Sequence, residues 1–165
     1  MELDNNEQII NQFCQYMSKY HYPAGAVDVI IEKDDKLLLR RRKNEPFKGL
    51  LAIPGGFVNE GEKVEDTAVR EMTEETNLTI EPTDILGVYS DPKRDPRGHV
   101  ISIVFIGKII AGEVRAGDDA DSFEWVSYKE LKNKQIVRTF DHLKIMEDYQ
   151  EWKKSRGTYW SSKAK

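Results

Sequence analysis

The chain has 165 residues, a formal net charge of −4 and a hydrophobic share of 39 %, which predicts one acidic domain long enough to bury a core. No apolar run approaches the roughly 20 residues that span a bilayer, so we expect no membrane-spanning helix and no membrane partner. The acidic balance also argues against binding to nucleic-acid polymers, whose backbone is held by clustered Lys and Arg.

The cysteine content and the N-terminal residues bear on the compartment. The first ten residues are acidic and lack both the basic start and the apolar stretch of a secretory signal. The single cysteine, Cys14, can form neither an internal disulfide nor a cysteine-based zinc site. A reducing, cytoplasmic location is therefore expected.

The first predicted element is an amphipathic helix over 7–19, within an N-terminal helical extension of residues 1–22. Its apolar residues recur at helical spacing, and they are Ile9, Ile10, Phe13 and Met17. A β-hairpin is predicted next, with alternating apolar residues over 27–31, a polar turn over 33–36 and an apolar run that starts at Leu37.

The middle of the chain contains a loop, a helix and two strands. Residues 44–56 are rich in Pro and Gly and predict a loop, and a helix of about 15 residues is predicted over 61–76. Asn77 is expected to end this helix in a left-handed conformation, which Asn tolerates better than most residues. Strands are predicted over 85–90 and 99–110, the second because of its many β-branched residues.

The last predicted elements are a short strand over 123–126 and a helix over 139–153. Residues 154–165 carry basic and no acidic side chains and are expected to form a flexible tail. Because no internal repeat or interdomain linker is present, residues 1–165 are interpreted as one domain. The order of the helices and strands predicts an α/β fold in which helices pack on a mixed sheet.

The most informative segment, Gly56 to Leu78, holds seven acidic residues and two basic ones. On a helical projection, its inward face is defined by Val64, Ala68 and Met72. Glu75 falls inside that face, and Glu71 and Glu74 fall along one edge of it. Three carboxylates are therefore predicted to meet at the border between core and solvent.

Such a cluster predicts a metal site. Like charges about 5 Å apart repel by roughly 3 kcal/mol per pair at an effective dielectric constant near 20. No lysine lies within the cluster, and Arg70 is expected to pair with Asp66 or Glu74 at four-residue spacing. A divalent cation would offset the repulsion, and all-oxygen ligands suit Mg²⁺, Mn²⁺ or Ca²⁺. The alternative is an ordinary solvated helix face.

Residues outside the helix could take part in a reaction at this site. The Pro54–Gly56 backbone is flexible and nearly free of side chains, so a carbonyl could bind a metal and a substrate could approach closely. Arginines could supply counter-charge to a diphosphate, and the candidates are Arg40, Arg41, Arg42, Arg94 and Arg97. Alternatively, the run of three arginines at the end of the hairpin is ordinary surface charge.

The spacing of these residues resembles the Nudix box of the Nudix hydrolases. Gly56 is followed after five residues by Glu62 and after seven more by Arg70, which opens the sequence REMTEETNL. Only Asn77 departs from the pattern, at a position where the family usually has Gly. The resemblance extends less specifically over residues 24–131. It implies a Nudix-type α/β/α sandwich with a mixed sheet, and hydrolysis of a nucleoside diphosphate linked to another moiety.

The resemblance also implies roles for individual residues. Glu74 and Glu75 would bind the divalent cation, and Glu71 would be a further ligand or the general base. The cation would be Mg²⁺, with Mn²⁺ as its substitute. The carbonyl of Gly55 would act as a backbone ligand. The residues that would brace the loop and the helix are Gly56, Glu62 and Arg70. Relatives are commonly homodimers, so a homodimer is expected.

Residues 45–49 and 95–99 are similar to the ADP-ribose pyrophosphatase branch of the family. That resemblance implies hydrolysis of ADP-ribose to AMP and ribose 5-phosphate, with a small nucleotide as the binding partner. The arginines expected to bind this substrate are Arg41, Arg42, Arg94 and Arg97. Hydrolysis of nucleoside triphosphates, as in pool-cleaning relatives, remains an alternative, and a non-catalytic nucleotide sensor is a third.

One departure from the family concerns the catalytic base. Many relatives carry a glutamate after a pair of aspartates, as a metal ligand or base, but this chain has Ser122 at that position. Asp118, Asp119 or Asp121 could serve as the extra base or ligand. The alternative is that these aspartates belong to an ordinary acidic turn.

Overall fold

The computed structural model describes residues 5–115, 122–131 and 139–163. Within these ranges, no helix has the length and apolar composition that crossing a membrane requires. The described elements are, in chain order, α1 (Asn5–Met17), β1 (Ala24–Lys33), β2 (Lys36–Arg41), β3 (Leu51–Ala52), β4 (Gly55–Phe57), α2 (Val64–Thr76), β5 (Thr79–Tyr89), β6 (Val100–Ala111), β7 (Phe123–Ser127), α3 (Tyr128–Leu131), α4 (His142–Ser155) and β8 (Tyr159–Trp160).

Strand β1 lies at the centre of a mixed sheet. The strand order is β3-β2-β1-β6-β5-β8, with β4 paired to β1 and β7 paired to β2. β1 runs antiparallel to β2 and parallel to β6, which confirms the predicted mixed sheet. The predicted β1–β2 hairpin turns at Asp34 and Asp35, which both adopt positive φ, as a two-residue turn of the favoured hand requires.

Helices cover both faces of the sheet. Successive β1 side chains point to opposite faces, so the strand contributes to two apolar clusters. One cluster joins the sheet to α2 and includes Val27, Val29, Ala68 and Met72. The other joins the sheet to α4 and includes Ile30, Ile145, Met146 and Trp152. The layers are therefore α/β/α, as predicted.

Helix α2 begins at Val64, three residues later than predicted. Gly61 has a positive φ of 78°, which turns the chain before the helix starts. Glu62 stays outside the helix because its carboxylate accepts hydrogen bonds from the Asn59 backbone N–H and from the Arg70 guanidinium. These contacts fix the turn that joins β4 to α2.

The end of α2 confirms the predicted left-handed residue. Asn77 has φ 60° and ψ 20°, and its backbone N–H donates to the carbonyl of Thr73. Strand β5 then starts at Thr79, earlier than the predicted strand over 85–90. Its first half was missed because Pro82 and several charged residues break the alternation, yet this half pairs with β6 through bulges.

The C-terminal segment differs from the expected flexible tail. Helix α4 extends to Ser155, and β8 pairs with β5 in parallel, with Tyr159 opposite Gly87 and Trp160 opposite Val88. Tyr159 is buried. The close approach depends on Gly87, because a Cβ there would overlap the Tyr159 carbonyl oxygen. The expectation of a flexible tail over 154–165 therefore does not hold for the part of it that the structure describes.

Candidate active site

A cavity of ≈ 360 Å³ lies beside β4 and α2. Its charged side chains are Asp28, Arg40, Arg42, Glu71, Glu75, Arg94, Asp95 and Arg97. Its other lining residues include Gly55, Gly56, Phe57, Asn59, Phe140 and His142. The cavity therefore brings together the carboxylates that the sequence assigned to a metal and most of the arginines that it assigned to a diphosphate.

The three clustered glutamates of α2 are not equivalent. Glu71 and Glu75 line the cavity, and their side chains are 14 % and 17 % exposed. Glu74 is 60 % exposed and is absent from the cavity lining. This gradient follows the helical projection, which placed Glu75 inside the apolar face and Glu74 furthest from it.

Arg70 contacts three carboxylates at once. Its guanidinium lies 2.7 Å from Glu62, 2.7 Å from Glu71 and 3.2 Å from Glu74. The hydrogen bond from Arg70 lowers the pKa of Glu62 to about 2, and Glu62 in turn raises the pKa of Arg70. The predicted pair with Glu74 is therefore present, and the pairs with Glu62 and Glu71 are additional.

Arg40 is bound to the third carboxylate, that of Glu75. A second oxygen of Glu75 accepts a hydrogen bond from the Gly55 backbone N–H at 3.3 Å. The cluster therefore pairs with two arginines, because Arg40 contacts Glu75 and Arg70 contacts Glu71 and Glu74. Among the residues that the structure describes, no group of three or more His, Cys, Asp or Glu side chains is arranged to hold a metal ion.

The donor set still fits a hard divalent cation. The Glu71 carboxylate packs directly on the backbone of Gly56, where a Cβ would overlap it, and Glu75 reaches Gly55. Half-buried carboxylate oxygens beside an open stretch of backbone are the ligands that Mg²⁺ and Mn²⁺ take in proteins. A cation at these oxygens would compete with Arg40 and Arg70 for them.

The floor of the cavity is a buried network of charged and polar groups. Arg94 donates to the Asp141 carboxylate at 2.7 Å and lies 3.6 Å from Asp28. Nδ1 of His142 accepts a hydrogen bond from the Ile53 backbone N–H at 2.9 Å, and its Nε2 lies 3.5 Å from Asp28. Burial lowers the pKa of His142. Because Nδ1 accepts the hydrogen bond from Ile53, the ring proton lies on Nε2, which faces Asp28.

The structure separates the predicted arginines into two groups. Arg42, Arg94 and Arg97 line the cavity, together with Arg40. Arg41 does not, because its guanidinium donates to Glu124 and to the carbonyl of Gly49. Side chains alternate along a strand, so Arg41 points away from the side that Arg40 and Arg42 share.

Other predicted residues lie outside the described ranges, and some cavity residues were not predicted. The aspartates at 118, 119 and 121, expected as an extra base or ligand, fall in the undescribed segment. The cavity residues that sequence analysis missed include Asp28, Phe57, Asp95, Phe140 and His142. Asp28 carried a usable signal, because a charged residue inside the apolar run over 27–31 must find a buried partner.

Comparisons with known proteins identify a family and several relatives of this chain. A family model described as NUDIX domain matches residues 21–149. An ADP-ribose pyrophosphatase from Methanocaldococcus jannaschii is 57 % identical over 134 residues, which are 81 % of this chain and 77 % of that protein. A putative 8-oxo-dGTP diphosphatase from Bacillus subtilis is 36 % identical over 107 residues, which are 64 % of this chain and 67 % of that protein.

A solved structure shares the fold of this chain. It is a bifunctional NMN adenylyltransferase/ADP ribose pyrophosphatase from Francisella tularensis, complexed with AMP and a manganese ion. The match has a TM-score of 0.68 and 26 % identity, and it covers 93 % of this chain and 48 % of that chain. The family match spans all the cavity residues, from Ala26 to His142.

Proposed function

The chain belongs to the Nudix hydrolase family, and from this premise we propose that it hydrolyses ADP-ribose to AMP and ribose 5-phosphate. One observation carries the choice of substrate, namely that the relative with 57 % identity is an ADP-ribose pyrophosphatase. The cavity supports a small nucleotide, because its ≈ 360 Å³ lies in the range of small-molecule sites. Its arginines match the negative charge of a diphosphate.

In the proposed reaction, water attacks one phosphorus of the diphosphate and the bridging P–O bond breaks. The water oxygen stays with one product and the bridging oxygen leaves with the other, so the products are AMP and ribose 5-phosphate. Arg40, Arg42 and Arg94 line the cavity and supply positive charge for the phosphates.

The proposal includes a divalent cation held by Glu71, Glu74 and Glu75 with the carbonyl of Gly55. This cation is Mg²⁺, and Mn²⁺ can substitute for it. When bound, the cation offsets charge on the phosphoryl oxygens. The position of Glu71 and Glu75 beside the β4 backbone supports this assignment. Glu74 lies further out on the same helix and reaches the cluster through Arg70.

Substitution of two of the three proposed glutamate ligands tests the cation assignment. Glu75→Gln and Glu74→Gln are expected to reduce kcat roughly 100-fold or more, because a neutral amide is a weaker ligand for a hard cation. Calorimetric titration with Mn²⁺ measures the loss of binding directly. Glu81→Gln removes an exposed charge on β5 and serves as the control. Unchanged Mn²⁺ affinity in both variants would contradict the assignment.

A substrate panel tests the reaction. ADP-ribose, NADH, diadenosine polyphosphates and 8-oxo-dGTP are incubated with the protein and Mg²⁺, and the products are separated by chromatography. We expect the highest kcat/KM for ADP-ribose, with AMP and ribose 5-phosphate as products. A preference for 8-oxo-dGTP would instead favour the second candidate, a nucleoside triphosphate hydrolase, which the Bacillus subtilis relative supports.

We also propose that the chain forms a homodimer through α1. The apolar side chains of Ile9, Ile10 and Phe13 are 63 %, 59 % and 59 % exposed. A helix of 13 residues is marginal in water unless its apolar face is covered. A second copy of the chain would supply that cover.

A cytoplasmic location completes the proposal. Cys14 is the single cysteine of the chain, and it is exposed. An exposed thiol persists in a reducing compartment and is prone to oxidation outside it. Cell fractionation with an antibody against the protein would check the location.

A further inference from the structure

One end of the cavity is aromatic. Phe57 at the end of β4 and Phe140 just before α4 both line it. The central guanidinium carbon of Arg97 lies 5.2 Å from the centroid of the Phe57 ring and 5.4 Å from that of Phe140. Ring faces that hold a flat cation also accept a flat heteroaromatic ring.

The Phe140 ring is held in place from several sides. Phe47 meets it edge to face, with centroids 5.0 Å apart, and the Arg42 guanidinium lies 5.2 Å from its centroid. Phe140 also has a positive φ of 49°, which is strained for a bulky residue. Backbone strain that the surroundings maintain is concentrated at functional sites, so the strain is a second observation that points to a role for this ring.

Asp95 fixes the plane of the Arg97 guanidinium. Its buried carboxylate accepts hydrogen bonds from Nε and Nη2 of Arg97 at 3.0 and 2.7 Å, and from the Arg97 backbone N–H at 2.9 Å. Burial opposes ionisation of Asp95, but the hydrogen bonds from Arg97 outweigh it and lower the pKa. A bidentate pair of this kind sets the orientation of the guanidinium as well as its position.

The aromatic end lies close to the carboxylates. Phe57 directly follows Gly56, whose backbone packs against the Glu71 carboxylate, and consecutive Cα atoms are about 3.8 Å apart. A nucleotide whose phosphates lie near Glu71 therefore has its base within reach of the Phe57 ring.

We propose that Phe57, Phe140 and Arg97 form the subsite that binds the base of the substrate. The adenine stacks on the exposed parts of the Phe57 ring and of the Arg97 guanidinium, which are 44 % and 45 % exposed, while the Phe140 ring packs against that guanidinium and supports it. Asp95 is a positioning residue that holds Arg97 in this arrangement. The inference rests on the proposed nucleotide substrate and assigns the contacts that recognise its base. It also gives Arg97 a stacking role instead of a phosphate-binding one.

The test compares two product ligands, AMP and ribose 5-phosphate, whose binding is measured by calorimetry without turnover. Phe57→Leu and Phe140→Leu are expected to weaken AMP binding by roughly 5- to 150-fold, the range that one base–aromatic stack accounts for. Ribose 5-phosphate has no base, so its affinity is expected to stay unchanged. Phe57 is 44 % exposed, so its variant is expected to fold even where the strained Phe140 position does not tolerate substitution.

Two further variants separate shape from charge. Arg97→Lys keeps the positive charge but loses the planar guanidinium group. Asp95→Asn removes the carboxylate charge that orients this guanidinium. Both variants are expected to weaken the binding of AMP but not of ribose 5-phosphate, with a higher KM for ADP-ribose and a nearly unchanged kcat. Trp160→Leu removes an aromatic side chain that is 49 % exposed and outside the cavity, and it serves as the control.

The outcomes are distinguishable. Unchanged AMP affinity in Phe57→Leu and Arg97→Lys would overturn the subsite, and so would an equal loss of AMP and ribose 5-phosphate binding. Selective loss of AMP binding would support it. Selective loss of AMP binding in a protein that does not hydrolyse ADP-ribose would retain the subsite and reject the proposed reaction.

Discussion

Arg70 organises the carboxylates at the start of the site. It contacts Glu62, Glu71 and Glu74, which come from the β4–α2 turn and from two positions on α2. A guanidinium has five N–H donors in a rigid fork, so one side chain can orient three acceptors together. At the scale of single residues, the site therefore depends on charge pairs as much as on the carboxylates themselves.

The absence of a side chain at Gly56 is equally specific. A Cβ at this position would overlap the Glu71 carboxylate, so we expect Gly56→Ala to displace Glu71 and to reduce kcat by roughly 10- to 100-fold. Gly25→Ala is the matched control, because a Cβ there meets only Val58 at 3.6 Å. Steady-state kinetics on ADP-ribose compares the two variants, and equal activity would contradict the role of the Gly56–Glu71 contact.

The Glu62–Arg70 pair predicts a pH dependence of stability. Its hydrogen bonds lower the pKa of Glu62 from an ordinary value of 4.5 to about 2. Because the folded-state pKa is depressed, the contribution is fully present above about pH 4.5 and is lost as the pH falls through about 2. We therefore expect the difference in free energy of unfolding between wild type and Glu62→Gln to be constant near neutral pH and to shrink below about pH 4.5.

Urea unfolding at a series of pH values measures this difference. Glu65→Gln removes a charge from the exposed first turn of α2 and controls for the general effect of losing a carboxylate. A Glu62→Gln difference that does not change between neutral pH and about pH 3 would contradict the prediction.

At the scale of elements, the packing of α2 on the sheet aims its carboxylates. Ala68 and Met72 are fully buried and set the rotation of the helix about its axis. Glu71 and Glu75 are four residues apart and therefore lie on one side of it, facing the β4 backbone. The left-handed Asn77 ends the helix directly after this pair.

The pairing of β8 with β5 leads to a prediction for the C-terminal segment. Gly87→Ala would place a Cβ against the Tyr159 carbonyl oxygen, so we expect β8 to detach and the free energy of unfolding to fall by about 1–3 kcal/mol. Hydrogen exchange would then increase over residues 159–160, while activity stays near wild type because these residues lie outside the cavity lining. Unchanged exchange protection of Tyr159 would show that β8 does not depend on Gly87.

At the scale of the whole molecule, the cavity is assembled from residues far apart in the chain. Its lining runs from Ala26 on β1 to His142 on α4, so it forms only when both helix layers are packed on the sheet. The charges are also unevenly distributed along the chain. Residues 56–78 carry a net charge of −5, and the rest of the chain carries +1. Arginines from β2 and from the 94–97 loop therefore meet an acidic helix across the cavity.

The exposed face of α1 predicts the oligomeric state. Phe13→Glu places a charge on that face and is expected to convert a dimer into a monomer, because the apolar cover is lost. Gln12→Glu adds the same charge one residue away and serves as the control. Light scattering coupled to size-exclusion chromatography measures the mass of each variant, and a monomeric wild type would contradict the proposed dimer.

Features that depend on neighbouring residues were predictable from the sequence. The hairpin over 27–39, the inward edge of α2 and the left-handed Asn77 each follow from a short local pattern, and the structure confirms them. The start of α2 is an exception, because the positive φ of Gly61 that delays the helix is known only from the structure.

By itself, the sequence determined the α/β class and the segment that carries the carboxylates, because periodicity and spacing encode which face of an element is buried. The α/β/α layer order was implied by the resemblance to the Nudix family. Only the tertiary structure decided that Arg40 contacts Glu75 while Arg41 points to Glu124, that Asp28 meets His142, and that Tyr159–Trp160 joins the sheet. The physical reason is that these partners lie tens of residues apart. A local pattern can show that a charge or a strand needs a partner, but only the packed chain selects which one it finds.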